Sequence, residues 1–317
     1  MVKSNITFQI ENYSTKFKNI WDNFITNSKN GTFLFYRDYM EYHSDRFTDN
    51  SLLFFIDDRL IAVMPANVEG DVMYSHGGLT YGGIVTDHKM TTSIMIDIVS
   101  ALTEYCRNHG IKKVIYKAIP HIYHILPAEE DLYALFRFRA KLIRRDISSA
   151  ISLNNPIKYV KGRKYGISVS KKNNVQISQS YDFTTFMAIE EDNLLSKYGV
   201  SPVHTPNEIA LLATRFPDNI KLFIASIDQR MIAGAIIFDH RTLAHTQYIA
   251  ADDFGKKIGA GDFLLDYLIR KYGNKKYFSF GISTENKGLY LNEGLIAYKE
   301  GFGGRGVVHD FYEFTIP

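Results

Sequence analysis

The chain has 317 residues, 45% hydrophobic and 22% charged, which is the balance of a protein with a real core and length enough for two ordinary domains. A net charge of +3 is too mild to signal nucleic acid, though it suits a phosphate-bearing small molecule. The single cysteine, Cys106, excludes an internal disulfide and any multi-cysteine metal site.

No apolar run approaches ~20 residues, and the N-terminal stretch MVKSNITFQIEN has no apolar signal region. A soluble cytoplasmic protein is therefore expected. Aromatic residues are abundant at 14%, with 21 tyrosines, enough to fill cores and also to line polar clefts.

Ser14 is placed to cap a helix over 15–27, with Phe17, Ile20, Trp21, Phe24 and Ile25 on one face. A second helix is expected over 36–43, then strands over 52–56 and 60–65 turned at Asp57-Asp58. A strand over 72–75 runs into the glycine-rich stretch 76–83. An amphipathic helix over 95–109 closes at Gly110 and carries Cys106 as a buried, inert thiol. A strand over 113–119 ends at Pro120, and 129–137 is again helical.

The stretch 154–174, rich in Lys, Gly and Asn, is read as the connection between two halves, with at most one helical turn. Beyond it the plan repeats: helices over 183–198 and 206–214, then strands over 221–227, 231–238 and 244–250. A helix over 259–271, a strand over 277–280, a helix over 289–299 and a strand over 307–314 follow. Meanders followed by a strand–helix–strand crossover predict an α/β chain of α+β type with mixed sheets, not a doubly wound one.

The most informative local pattern lies between a strand and a helix: Lys256-x-x-Gly259-x-Gly261 within residues 249–262. Its glycines allow sharp turning and close approach of a ligand, and the helix that follows directs free N–H groups into the turn. With Lys256 and Lys257 this makes a pyrophosphate cradle. The alternative is a plain glycine-rich turn, and Asp262 is a carboxylate able to cap the helix in place of an anion.

Element order and this loop resemble the GNAT acyltransferase superfamily, whose R/Q-x-x-G-x-G/A loop binds the pyrophosphate of acyl-CoA, with Lys256 here in the first position. The resemblance implies acyl-CoA on Ile249, Ala250 and Ala251 along the pantetheine, and on Lys256, Lys257, Ile258, Gly259, Ala260 and Gly261 at the pyrophosphate. The first half has the same element order, but its equivalent stretch, residues 85–90, lacks the glycines. Two tandem GNAT-like domains packed together are expected, 1–155 without the CoA loop and 156–317 with it.

Residues 36–47, 75–83, 202–205 and 291–303 also resemble the tandem-GNAT, FemAB-like acyltransferases of surface-polysaccharide pathways. Within that group the chain is most similar to enzymes that N-acylate dTDP-linked 3-amino-3,6-dideoxyhexoses, including those that transfer 3-hydroxybutanoyl. The implied reaction is acyl transfer from acyl-CoA to the amine of a nucleotide-linked amino sugar, with no metal, membrane or nucleic acid. Two alternatives stand beside it: a FemAB-like transfer from aminoacyl-tRNA, against which the weak charge and the lack of a basic helical arm count, and a non-catalytic acyl-CoA-binding protein.

Amide formation needs a neutral amine, a polarised carbonyl and a proton route. His76 opens a loop of small residues and is a candidate base, or else a histidine bonded to the turn. His204, between two prolines, touches substrate or caps the next helix. Glu285 is a desolvated carboxylate at the cleft edge or an exposed loop residue. Asn292 is placed for pantetheine or the leaving thiol, and Tyr290 or Tyr298 for protonating sulfur. Tyr81, with Tyr39 or Arg46, is the expected sugar pocket. His121 and His124 flank a proline-broken loop and are not read as metal ligands.

Overall fold

A computed structural model describes residues 8–317, so most of the N-terminal stretch screened for a signal region lies outside the described residues. The chain divides into two compact units: 1–146 with 287–289 and 308–317, and 147–286 with 290–307. The boundary expected after residue 155 falls inside the second unit, and the last strand returns most of its length to the first. Among the described residues no helix is long and apolar enough to cross a membrane.

The first unit begins with β1 (Phe8–Asn12) and α1 (Lys18–Asn27). Ser14 leads into a 3₁₀ turn over Thr15–Phe17 and makes no side-chain cap. Helix α2 is a single turn (Arg37–Met40) extended by a 3₁₀ turn to His43. Strands β2 (Leu52–Ile56) and β3 (Arg59–Met64) form a hairpin whose turn residues, Asp57 and Asp58, have φ of 46° and 62°. Two consecutive left-handed residues are the geometry that matches the twist of a two-residue hairpin.

Then come β4 (Asn67–Glu69), β5 (Val72–Tyr74), β6 (Val85–Thr86), α3 (Thr92–Asn108), β7 (Lys113–Lys117), α4 (Glu130–Arg137) and β8 (Lys141–Ser152). The order β1-β2-β3-β6 makes an antiparallel sheet, and β5 lies parallel to β7. Met95, Ile98, Val99, Leu102 and Cys106 of α3 pack in one core with Phe54, Val114 and Tyr116. Burial pushes the Cys106 thiol up to about 12, as an inert core cysteine requires.

The second unit contains α5 (Lys161–Lys172), β9 (Gln176–Ser180), α6 (Phe183–Tyr198), α7 (Pro206–Arg215), β10 (Ile220–Ile227), β11 (Arg230–Asp239), β12 (Leu243–Ala251), α8 (Asp253–Ile258), α9 (Ala260–Lys271), β13 (Tyr277–Ile282), β14 (Thr284–Glu285), β15 (Tyr290–Leu291), α10 (Glu293–Glu300) and the first three residues of β16 (Arg305–Thr315). Asp182 caps α6 through Thr185 N, and Gly199 ends it at φ 66°. Thr205 and Glu208 form a capping box on α7, with Pro206 in the first turn.

Residues of β8 beyond 146 pair with β13, and the sheet continues through β12, β11 and β10 to β9. Its α9 face buries Ala233, Ala235, Ile237, Ala244 and Phe278 against Leu264, Leu265 and Leu268. The mixed-sheet α/β class expected from the sequence is the one observed.

Candidate active site

The second unit's sheet opens at one place. Strands β12 and β13 pair in parallel through three residues only, Leu243–His245 with Tyr277–Ser279. Beyond that point β12 bulges: Ile237 faces Thr246 but Ile236 faces Tyr248, leaving Gln247 extra. Strand β13 turns away at Gly281, whose φ of 73° suits glycine and whose Cβ position lies 3.3 Å from the His245 ring. Ile249, Ala250 and Ala251 pair with β11 on one side and with no residue of β13 on the other. A parallel pair that separates in this way leaves backbone N–H and C=O groups for an extended ligand.

The expected phosphate loop is helical instead. Asp252 caps the short α8 through Gly255 N at 2.6 Å, and Gly259, at φ 74°, turns the chain into α9. The sequence places the glycines in a sharp turn before one helix, whereas Gly259 is a left-handed joint between two. Asp262 does not cap α9. Its carboxylate is buried, takes a 2.6 Å bond from Arg163 Nη1 and is bonded by the Tyr298 hydroxyl. That leaves the positive end of α9 for an anion.

The residues at this turn fit a diphosphate. Lys256 and Lys257 are exposed, with Lys256 Nζ 3.0 Å from Asp253 Oδ1, while Gly259 and Gly261 are half-buried. A Cβ at Gly261 would meet only the Tyr298 hydroxyl at 3.5 Å. Ile258 and Ala260 are buried and support the turn from below.

Helix α5 covers the other side of the turn. This three-turn helix stands where the sequence suggested at most one, and Gly166 packs directly on Gly259. Ser170 Oγ donates to Ile258 O at 2.7 Å, and the Arg163 guanidinium lies 4.5 Å from the Tyr298 ring centre. Tyr298 is thus locked into the support of α9, and burial drives its hydroxyl pKa upward. Tyr290 sits exposed in the β14–β15 hairpin.

Glu285 lies in that same hairpin, exposed, accepting from Asn292 Nδ2 at 2.8 Å, which is the loop alternative and not a desolvated carboxylate. Asn292 caps α10 through Leu295 N at 3.0 Å. His204 is buried with its Nδ1 2.7 Å from the Tyr248 hydroxyl, and its neighbour Thr205 does the helix capping. Tyr248 follows the bulge of β12, so this pair borders the opening.

His76 belongs to the first unit. It is buried at φ 65°, with its ring 5.2 Å from that of His43 and 5.3 Å from that of Phe47. Burial first, then His43, lowers its pKa to about 3, so the imidazole is neutral. Its Nδ1 has no hydrogen-bond partner among the described residues. Tyr39 and Tyr81 are core residues, 4% and 1% exposed; Tyr39 packs on Phe33, and Tyr81 bonds Thr32 Oγ1 at 3.1 Å. The sugar pocket expected around them is packed interior, and only Arg46, 5.4 Å from the Tyr42 ring, reaches solvent. Among the described residues no cluster of three His, Cys, Asp or Glu could hold a metal ion.

A buried lysine was given no role by the sequence. Lys299 on α10 is 5% exposed, and its Nζ donates to Gly281 O at 3.0 Å and Ile282 O at 2.6 Å. It pins β13 where the strand leaves β12, and burial lowers its pKa to about 7. A lysine near the end of a helix reads as a solvated charge, so no sequence signal marked it.

Residues 183–300, from α6 through α10, match the acetyltransferase (GNAT) domain family. This stretch, which contains the opened strand pair, the α8–α9 turn and Lys299, is similar to a GNAT-type acyltransferase domain. Among solved structures the chain is similar over its whole length to FemX, at TM-score 0.67 and 9% identity, with 97% of each chain covered. It is also similar to a tandem GNAT protein of the clavulanic acid biosynthesis pathway (TM-score 0.53, 10% identity, 98% of this chain and 99% of that one). A third is L-PGS from Bacillus licheniformis (TM-score 0.56, 12% identity, 81% of each). These likenesses establish the fold. No curated protein matches the chain.

Proposed function

We propose that the chain transfers an acyl group from acyl-CoA to the amine of a nucleotide-linked amino sugar. The acceptor class is a sugar such as a dTDP-linked 3-amino-3,6-dideoxyhexose, the acyl group 3-hydroxybutanoyl, and the setting surface-polysaccharide synthesis in the cytoplasm. The observation that carries the reading is the strand pair that opens beyond His245 and Ser279, with the start of α9 and Lys256–Lys257 beside it. Ile249–Ala251 offer backbone bonds to the pantetheine, the α9 turn neutralises the diphosphate, and the His204–Tyr248 pair borders the reacting end.

Gly261 tests this with little structural penalty. Gly261→Glu is expected to melt near the wild-type temperature, because glutamate forms helix better than glycine by roughly 0.5 kcal/mol and its charge suits the first turn of α9. The added carboxylate fills and repels where the diphosphate approaches, so KM for acetyl-CoA should rise about tenfold, a loss of ~1.4 kcal/mol of binding. An unchanged KM removes the α9 turn from the site.

The FemAB-like reading, with aminoacyl-tRNA as donor, has one observation in its favour. Helix α5 carries Lys161, Arg163, Lys164, Lys171 and Lys172 without an acidic residue, the basic helix that the sequence had seemed to lack. Transfer that requires charged tRNA and ignores acyl-CoA selects it.

A further inference from the structure

Helix α6 carries a buried carboxylate that nothing in the fold compensates. The helix crosses the sheet obliquely: Phe186 packs on Gly234 of β11, and two turns later Asn193 Nδ2 donates to Ala251 O of β12 at 3.0 Å. Glu190 lies between these anchors, one turn from each, on the face that also buries Phe183, Phe186 and Met187. Below it is β12 just past the bulge, where Tyr248 and Ala250 are buried and face α6 as Ile249 faces α9.

Glu190 is 8% exposed and has no hydrogen-bond or ion-pair partner among the described residues. The other ionisable groups on this face are His245 and Tyr248 of β12, His204 of the α6–α7 connection, and Lys197 of α6 itself. Helix α7 contributes the apolar Ile209 and Leu212, and β11 contributes Gly234 and Ile236. Lys197 is exposed and two turns away, so its pull is outweighed by burial, which raises the Glu190 carboxyl to about 7.

A carboxyl held in such a place costs stability and returns none through bonding, which marks functional groups more often than structural ones. We propose that Glu190 takes the proton from the acceptor's ammonium at the opening between β12 and β13. The inference rests on the acyl-transfer reading. One N–H proton of the ammonium passes to the Glu190 carboxylate. The freed lone pair forms the C–N bond at the thioester carbonyl, and the C–S bond breaks as that carbonyl re-forms. The second N–H proton goes to the departing sulfur, giving amide and free thiol, and Glu190 returns its proton to solvent. A base that titrates near the working pH serves this step best.

The test compares wild type with Glu190→Gln and Glu190→Asp, using acetyl-CoA, 3-hydroxybutanoyl-CoA and dTDP-3-amino-3,6-dideoxygalactose, with thiol release followed from pH 5.5 to 9. Glu190→Gln is expected to lower kcat ~100-fold, to leave KM for the thioester unchanged, and to abolish the fall in rate below about pH 7. It should melt no lower than wild type, since a bare carboxylate has been removed, and Glu190→Asp should keep the acid limb at reduced rate. A Gln variant that keeps its rate within threefold, keeps the acid limb, or loses rate and melting temperature together overturns the assignment while the acyl-transfer reading stands. A wild type that is folded but turns over none of these pairs, nor other nucleotide-linked amino sugars, overturns that reading and this inference with it.

Discussion

Gly259→Val is expected to destabilise the protein by roughly 2–5 kcal/mol, combining a β-branched residue forced left-handed with backbone overlap. Gly259 has φ 74°, and any Cβ there falls 2.6 Å from Gly166 Cα and 2.8 Å from the carbonyl carbon and oxygen of the same residue. Neither partner is a flexible side-chain end: both are helix backbone, Gly166 in the middle of α5 and Gly259 at the joint of α8 and α9. Relief requires the helices to separate, which breaks the Arg163–Asp262 ion pair and the Ser170–Ile258 bond. In thermal melting the drop should be roughly 3–8 °C for a chain of this size. A variant that melts like wild type shows that α5 does not sit on the turn. The contrast with Gly261→Glu separates the glycine that the fold needs from the one that a ligand needs.

Lys299→Met should have an effect of similar size on activity and a distinctive one on pH dependence. Its head group bridges two carbonyls at the point where β13 departs, so its loss frees one wall of the opening and is expected to lower kcat ~100-fold. The pH effect follows from linkage. The folded pKa, about 7, lies below the unfolded value of 10.5, so between those values the unfolded chain binds more protons. Wild-type stability should therefore climb from pH 7 toward pH 9 relative to Lys299→Met, whereas an exposed lysine gives parallel curves. Urea unfolding of both proteins at the two pH values reads the difference.

Much of the fold was legible because local signals were strong. The turn Asp57-Asp58 takes φ of 46° and 62°, the hairpin geometry its position indicates, and Asp228-Gln229 takes the same form at 48° and 65°. Helix α6 runs from Phe183 to Tyr198 as expected because Asp182 and Gly199 punctuate it at both ends. Two of the missed elements share a cause: their partners are distant in sequence. Strand β8 pairs with β13, more than a hundred residues on, and α5 owes its place to Gly166 meeting Gly259, which no helix propensity for a Gly-, Ser- and Lys-rich stretch conveys.

The site was legible only in part, for the same reason. The glycine pattern marked a turn but not its helical form, and α9 begins where the sequence placed the cradle. His204 emerges next to the opening through Tyr248, which sequence spacing could not reveal. Tyr39 and Tyr81 were drawn from a chain rich in rings, where core and cleft tyrosines look alike until burial is known. Lys299 and Glu190 were passed over because charged residues on helices are ordinarily solvated, and only packing shows that these two are not.

The most direct test of acyl-CoA-dependent N-acylation is a thiol-release assay on the wild-type chain, with acetyl-CoA and 3-hydroxybutanoyl-CoA against a panel of nucleotide-linked amino sugars. Release that appears with thioester and one amino sugar together, yielding an amide, is the predicted result. A folded protein that releases no thiol with any pair, or that transfers only from charged tRNA, contradicts it.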